Sequence, residues 1–349
     1  MKMKAIRLSE FGGPSVLHQV EVPVPEFTAD QMLVRVAGCG VCGHDLLNRA
    51  GHFSTTQLPC VMGHEVAGEV VEVGSLITRF KVGDRVAMIQ RIGCGTCIPC
   101  RNGQENICVS GAGFYGEQIS GGYGEYVIAS ERNTLHLPEE IPLDVAPVLS
   151  CAIGTGYHAL RRAALPIGST VLITGASGGV GIHAVRLAAL GGLRVVAATT
   201  SPAKAQQLKD AGADHVVVAG EGGFHKELRD WTDGIGVDGV LEIAGAATFP
   251  SSVRSIRAGG RMVVVGTMEP GNWPFNPALS ILKELEFIGS AHATLNDLRK
   301  IIQIVADGKI TPEIGRVMPV SEAAEAHRAM EAKEITGRVV LMHDHAMAN

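Results

Sequence analysis

VLITGASGGVGIHAV, residues 171–185, passes from an apolar run through a glycine turn into a helix-like segment. Gly175, Gly178 and Gly181 recur at every third position, with Gly179 and Val180 completing the turn. Without Cβ atoms such a turn can be tight and can let a pyrophosphate approach the backbone, while the helix start supplies free N–H groups. A glycine pattern by itself is weak evidence. Here a strand pattern precedes it, a helix pattern follows, and further units come after. RVVAATT (194–200), HVVVAG (215–220), GVDGVLEIAG (236–245) and RMVVVGT (261–267) read as strands, with helical stretches such as PAKAQQLKDAG (202–212) between them. This alternation predicts an α/β fold, a Rossmann-type doubly wound parallel sheet that binds a nucleotide. The competing reading is a turn with a structural role only.

The spacing across 175–181 is G-x-x-G-x-x-G, one residue off the usual G-x-G-x-x-G. An NAD-preferring site places Asp or Glu at the end of the second strand, where it grips the ribose 2′-hydroxyl. This chain has TTSPAK (199–204) there, and its next carboxylate is Asp210. Thr200, Ser201 and Lys204 can face a 2′-phosphate, so NADP(H) is expected over NAD(H). Thr200 and Ser201 can equally cap a helix starting near Pro202.

The chain of 349 residues is long for one core, which predicts two domains. Its first 150 residues are β-rich: MLVRVAGCG (32–40), EVAGEVVEVG (65–74) and DRVAMI (84–89) carry strand signals. Helical stretches around 294–307 and 321–331 and a last strand, GRVVLM (337–342), follow the nucleotide-binding pattern. A net charge of −5 offers no electrostatic reason to expect nucleic acid or an anionic membrane as partner. No secretory signal and no membrane-length apolar run is visible, so a cytoplasmic protein with reduced thiols is expected.

Four of the eight cysteines fall within GCGTCIPCRNGQENIC (93–108). Cys94, Cys97, Cys100 and Cys108 can close a tetrahedron around Zn²⁺, and such all-cysteine sites are structural because no position stays open. Disulfides or an iron–sulfur cluster are the alternatives. A second set is scattered: Cys42 in GVCGHD, His64 and Glu65 in VMGHEVAG, and Cys151 in SCAIGTGYHAL. Singly each would pass for a core residue. Together they form a Cys/His/Cys set with room for water or substrate, the open arrangement of catalytic zinc.

The ordered combination of C-G-x-D (42–45), GHE (63–65), the four-cysteine lobe, GTGYHAL after Cys151 and GASGGVG (175–181) resembles the zinc-containing medium-chain dehydrogenase/reductase superfamily over essentially the whole chain. The resemblance implies a GroES-like β-rich catalytic domain, 1–152 and 292–349, carrying the zinc lobe, with a cofactor domain inserted at 153–291 and the active site in the cleft between them. It implies two zinc ions per chain. Cys42, His64 and Cys151 would hold the catalytic one, Glu65 would exchange with water beside it, and Asp45 would orient the histidine ligand. Thr155 would pack by the nicotinamide, and Gly266 and Thr267 would run along the cofactor. Arg338 would lie near the pyrophosphate, unless it is a solvated charge at a strand start. A homodimer or homotetramer through the sheet edge of the cofactor domain is expected, with a small-molecule substrate.

The implied chemistry is zinc-assisted hydride transfer between NAD(P)(H) and an alcohol or carbonyl, as in alcohol dehydrogenases. His44 departs from the pattern, because many of these enzymes carry Ser or Thr there to start a proton relay. It is either a substitute relay or a sign of other chemistry. TGASGGVGIHA and ILKELEFIGSAHAT (281–294) are similar to acryloyl-CoA reductases and quinone oxidoreductases, which reduce an activated C=C. A non-catalytic nucleotide-binding protein is the remote alternative. Loops around 48–58, 110–125 and 268–280 are expected to shape the pocket. Cys39, Cys60 and His183 read as packed residues, His52 as a solvent-facing loop residue, and the tail HDHAMAN (343–349) as mobile.

Overall fold

The computed structural model describes residues 1–220, 222–266 and 271–347. It forms two compact units, Met1–Gly154 with His292–Asn349, and Thr155–Ala291. The sequence reading drew the boundaries after residues 152 and 291.

The first unit opens with β1 (Lys2–Leu8) and β2 (Leu17–Pro23), an antiparallel pair. The long strand β3 (Met32–Val41) is buried along nearly its whole length and runs directly into helix α1 (Gly43–Arg49). Then come β4 (Cys60–Val61), β5 (Glu65–Val73) and β6 (Arg85–Met88). The cysteine lobe is an excursion between β7 (Arg91–Ile92) and β8 (Gly113–Phe114), which pair antiparallel, and it contains the short helix α2 (Ile98–Arg101). β9 (Tyr126–Ala129) and β10 (Thr134–His136) follow.

Helix α3 (Gly154–Ala163) leads into the second unit. There the chain alternates: β11 (Thr170–Ile173), α4 (Gly179–Leu190), β12 (Arg194–Thr199), α5 (Ala205–Asp210), β13 (His215–Val218), α6 (His225–Trp231), β14 (Val237–Glu242), α7 (Phe249–Ser255), β15 (Ile256–Val264), α8 (Pro277–Lys283) and β16 (Glu286–Gly289). All pairings are parallel, in the order β13-β12-β11-β14-β15-β16. Counted within the unit this is 3-2-1-4-5-6, the doubly wound order whose switch point lies between β11 and β14. Both faces of the sheet are buried, as the continuous apolar strands require. Val171, Ile173, Val195 and Ala197 pack with Ile182 and Val185 of α4 on one face, while Leu172, Val196 and Val240 pack with Leu228 and Val253 on the other.

The chain then returns to the first unit through α9 (Leu295–Ala306), β17 (Ile314–Pro319), α10 (Ala323–Glu331), β18 (Arg338–Met342) and α11 (Asp344–Met347). β18 inserts beside β3, completing the order β10-β6-β5-β3-β18-β17, with β9 also paired to β3. The core of this unit is therefore built from both ends of the chain. The expectation of a mobile tail needs correction over its described part. His343 is buried and its Nε2 lies 3.0 Å from the Gly122 carbonyl, giving a buried backbone acceptor its partner. Among the described residues no helix is long and apolar enough to cross a membrane.

Candidate metal centre and dinucleotide turn

The end of β3 delivers Cys42 and the start of β5 delivers Glu65, with His64 just before it. These strands are neighbours, in register Gly40 to Glu65. Cys42 occupies the N-cap of α1, and Asp45 in the first turn accepts the Cys42 N–H at 2.8 Å, closing a capping box. The other oxygen of Asp45 lies 3.0 Å from Nδ1 of His64. One carboxylate thus starts the helix and fixes the imidazole, leaving Nε2 for the cluster.

The ligand atoms of Cys42, His64, Glu65 and Cys151 all lie within 4.8 Å of one another, and all four residues are buried. The two sulfurs are 3.9 Å apart. A tetrahedral Zn²⁺ with ~2.3 Å Zn–S bonds spaces its sulfurs about 3.8 Å apart, so the donor set fits one ion. The electrostatics agree. The contact with Cys151, then Arg338 and His64, draws the Cys42 thiol well below its ordinary pKa against burial, while the Cys42 contact and burial push Cys151 well above its own. Burial would depress His64, but the Asp45 carboxylate raises it well above the usual value. Burial lifts Glu65 to about 7 against the pull of Arg338.

Arg338, at the start of β18, differs from the solvated charge offered as one reading. It is 2% exposed, its Nη2 lies 3.0 Å from Glu65, and its Nη1 donates to the Val41 carbonyl. Pairing β18 with β3 carries it inward, where a buried guanidinium needs a carboxylate.

His44 walls one side of this cluster, its ring 5.1 Å from that of His64. Its Nε2 lies 2.7 Å from Oε1 of Glu117, whose other oxygen accepts from Thr55 at 2.6 Å. Burial opposes ionisation of Glu117, but the His44 and Thr55 contacts hold its pKa at about 2. The His44 ring stacks on Phe53 at 4.4 Å and packs against Phe114 at 5.0 Å, and Phe114 in turn meets His292 at 4.9 Å. Burial, with His44 and His64 nearby, lowers His292 to about 3. Its backbone has φ +54°, a left-handed conformation uncommon for a side-chain-bearing residue. Sequence reasoning missed Phe53, Thr55, Phe114, Glu117 and His292 as individuals. The first four fall in the loops marked as pocket-shaping, and no spacing signal pointed to His292.

In the lobe, the four sulfurs of Cys94, Cys97, Cys100 and Cys108 lie within 4.8 Å of each other. The Cys94–Cys100 and Cys97–Cys108 separations are 3.9 and 3.8 Å, the edges of a zinc tetrahedron, whereas a disulfide would need about 2.0 Å. The Thr96 hydroxyl and the amides of Cys97 and Thr96 hold the Cys94 thiol at about 5, ready to act as thiolate.

In the second unit the glycine turn joins β11 to α4. Gly175 has φ +59°, and a Cβ on Gly181 would meet the Gly175 carbonyl oxygen at 2.2 Å, so both positions exclude a side chain. The turn lies at the C-terminal ends of β11 and β14, the switch point where dinucleotides bind. Past β12, Thr200 is exposed and Ser201 and Lys204 are half-buried. Ser201 takes an N-cap position, but its side chain makes no capping bond. Thr155 is buried in the first turn of α3, and Gly266 follows β15. Thr267 lies outside the described residues. Cys39, Cys60 and His183 are buried and His52 is exposed.

Residues 28–139 match the alcohol dehydrogenase GroES-like domain, and residues 179–307 match the zinc-binding dehydrogenase domain. The chain is 35% identical to an acryloyl-coenzyme A reductase of Metallosphaera sedula over 92% of this chain and 95% of that one. It is 32% identical to an NAD-dependent alcohol dehydrogenase of Saccharolobus solfataricus over 97% of this chain and all of that one. A solved structure of AibC superposes with a TM-score of 0.91 at 42% identity, covering 98% of this chain and 96% of that one.

Proposed function

Because the chain belongs to the zinc-containing medium-chain dehydrogenase/reductase superfamily, nicotinamide-dependent oxidoreductases, we propose that it is a zinc-dependent enzyme exchanging hydride between NADP(H) and an alcohol or carbonyl substrate. The observation that carries this reading is the buried Cys42/His64/Glu65/Cys151 donor set. When bound, zinc would supply Lewis acidity toward a substrate oxygen, and the nicotinamide would supply or take up the hydride.

The chain's own residues do the rest. Asp45 holds the Nδ1 proton of His64 and so turns the Nε2 lone pair to the metal position. Arg338 keeps a positive charge beside Glu65. His44 holds a proton between its Nε2 and Glu117, where it can serve in place of the usual hydroxyl relay. Phe53 and Phe114 cover this wall and limit water. Cys94, Cys97, Cys100 and Cys108 would hold a second, structural zinc. The second unit would carry the cofactor on Gly175, Gly178, Gly179, Val180 and Gly181. The absence of a carboxylate after β12, with Thr200, Ser201 and Lys204 in its place, supports NADPH over NADH. Among the described residues β16 ends the sheet with one edge open, and Phe287 on it and Ile281 and Leu282 on α8 are exposed, which supports pairing with a second copy. Sulfurs set 3.8–3.9 Å apart, a spacing for metal ions rather than disulfides, support a cytoplasmic setting, where thiols stay reduced.

The 35% identity to an acryloyl-coenzyme A reductase favours a second reading, hydride transfer from NADPH to an activated C=C. One experiment separates the two: NADPH oxidation with aldehydes and ketones against enoyl-CoA esters and quinones, by wild type and Cys151→Ala. Carbonyl turnover lost in the variant supports the first reading. Enoyl reduction that survives the substitution replaces it with the second.

A further inference from the structure

Glu242 closes β14 and is 0% exposed, yet the chemistry proposed above does not use it. Its side chain collects donors from three directions. Oε1 accepts from the Thr174 hydroxyl at 2.6 Å, the Thr248 hydroxyl at 2.6 Å and the Gly245 N–H at 3.0 Å. Oε2 accepts from the Ser252 hydroxyl at 2.6 Å. Among the described residues no cation pairs with it, so neutral dipoles compensate the carboxylate entirely.

One of these donors adjoins the glycine turn. Thr174 is the residue before Gly175, and its Oγ1 also accepts the Ile243 and Ala244 amides at 2.9 and 3.2 Å. Ile243 and Ala244 in turn form the wall 3.6–3.7 Å from where a Cβ on Gly175 would stand. The main-chain carbonyl of Glu242 accepts the Val265 N–H at 2.9 Å, just before Gly266. Thr248 and Ser252 belong to the N-cap and first turns of α7. One residue therefore ties together the C-terminal ends of β11, β14 and β15 and the start of α7. Parallel strands end there without further ladder bonds, and a dinucleotide must be met by fixed backbone groups.

We propose that Glu242, acting through Thr174, is a positioning residue that holds the β11 glycine turn and the facing 243–245 segment in the geometry that receives the dinucleotide. The inference rests on the reading of Gly175–Gly181 as a dinucleotide turn. The carboxylate touches no part of the turn that would meet the ligand. It sets the hydroxyl of Thr174, and that hydroxyl sets two amides. The pyrophosphate is common to both nicotinamide dinucleotides, so the effect is the same for each, unlike that of the groups after β12.

The test measures dissociation constants for NADPH and NADH by fluorescence titration of the full-length protein, alongside the melting temperature without cofactor. Thr174→Val removes the relaying hydroxyl at constant volume, and Thr174→Ser restores it. Glu242→Gln keeps an oxygen for the three-donor side and turns an NH₂ toward Ser252, which can accept. Glu242→Ala removes the whole junction. Thr174→Val is expected to weaken both dinucleotides about tenfold, the order of a lost buried hydrogen bond. Thr174→Ser and Glu242→Gln should bind much closer to wild type. Thr174→Val/Glu242→Ala should bind no worse than the weaker single variant, because both act in one network. Should Glu242→Ala not fold, Thr174→Val and its serine rescue still decide the matter. A lower melting temperature with unchanged dissociation constants in Thr174→Val, or additive losses in the double variant, overturns the proposal. Wild type that binds neither dinucleotide overturns the glycine-turn reading and takes this inference with it.

Discussion

His327 offers a stability test that can be worked from the structure. It lies on α10, fully buried, between Nη1 of Arg49 at 3.2 Å and the hydroxyl of Tyr123 at 2.9 Å. Arginine only donates, so Nδ1 must accept and the ring proton sits on Nε2, toward Tyr123. Glu331 pairs with the same Arg49, and Asp45 is the other charge felt by the ring. Burial, aided by Arg49 and opposed by Asp45, holds the native pKa at about 4, against 6.5 for an ordinary histidine. The unfolded chain therefore binds a proton between these values that the native protein refuses. This stability is fully present above pH 6.5, is lost as pH falls toward 4, and changes no further below that. The whole window amounts to about 3 kcal/mol, of which about 2 kcal/mol is lost between pH 7.5 and 5. Glutamine can accept from Arg49 and donate to Tyr123 without titrating. Melting curves of wild type and His327→Gln from pH 7.5 to 5 should converge by roughly 4–8 °C, at about 2–4 °C per kcal/mol. His292 and His343, which burial also lowers, titrate in both proteins and cancel. Melting curves that stay a constant distance apart across this range would refute the reasoning.

Elemental analysis should find two zinc ions per chain, with Cys97→Ser losing one and Cys151→Ala the other; a variant that loses both or neither contradicts two independent sites. Lys204→Ala should weaken NADPH about tenfold by titration and leave NADH nearly unaffected, the size of a lost hydrogen bond to a charged group. Equal weakening of both would remove Lys204 from 2′-phosphate recognition. Arg338→Met leaves Glu65 buried without its cation and should destabilise the protein by about 3–5 kcal/mol in denaturant unfolding, whereas a loss under about 1 kcal/mol would show that the pair is dispensable.

Much of this protein was legible without coordinates, because its chemistry is written in local spacing. The glycine turn must be strand, turn and helix in direct succession, so Gly175–Gly181 announced the doubly wound sheet. The lobe cysteines lie within one loop, and a short loop can close on one ion in few ways. The apolar runs of β11, β12 and β14 marked strands buried on both faces. Cys42, His64 and Cys151 were readable as a set only through their flanking motifs. Nothing in their separation along the chain brings them within a bond length of one ion.

That convergence is a tertiary fact. It needs β3 beside β5, while the insertion of β18 next to β3 from the far end of the chain carries Arg338 inward onto Glu65. The wall of Phe53, His44, Phe114, Glu117 and His292 is assembled from the first turn of α1, the short strand β8 and loops, whose side-chain directions no periodicity encodes. Glu242 looked like the last residue of a strand until folding set three hydroxyls and an amide around it. Sequence determines what neighbouring residues must do to satisfy their own backbone and apolar surface. Which distant polar groups end up satisfying one another is decided only when the packed sheets fix their separations.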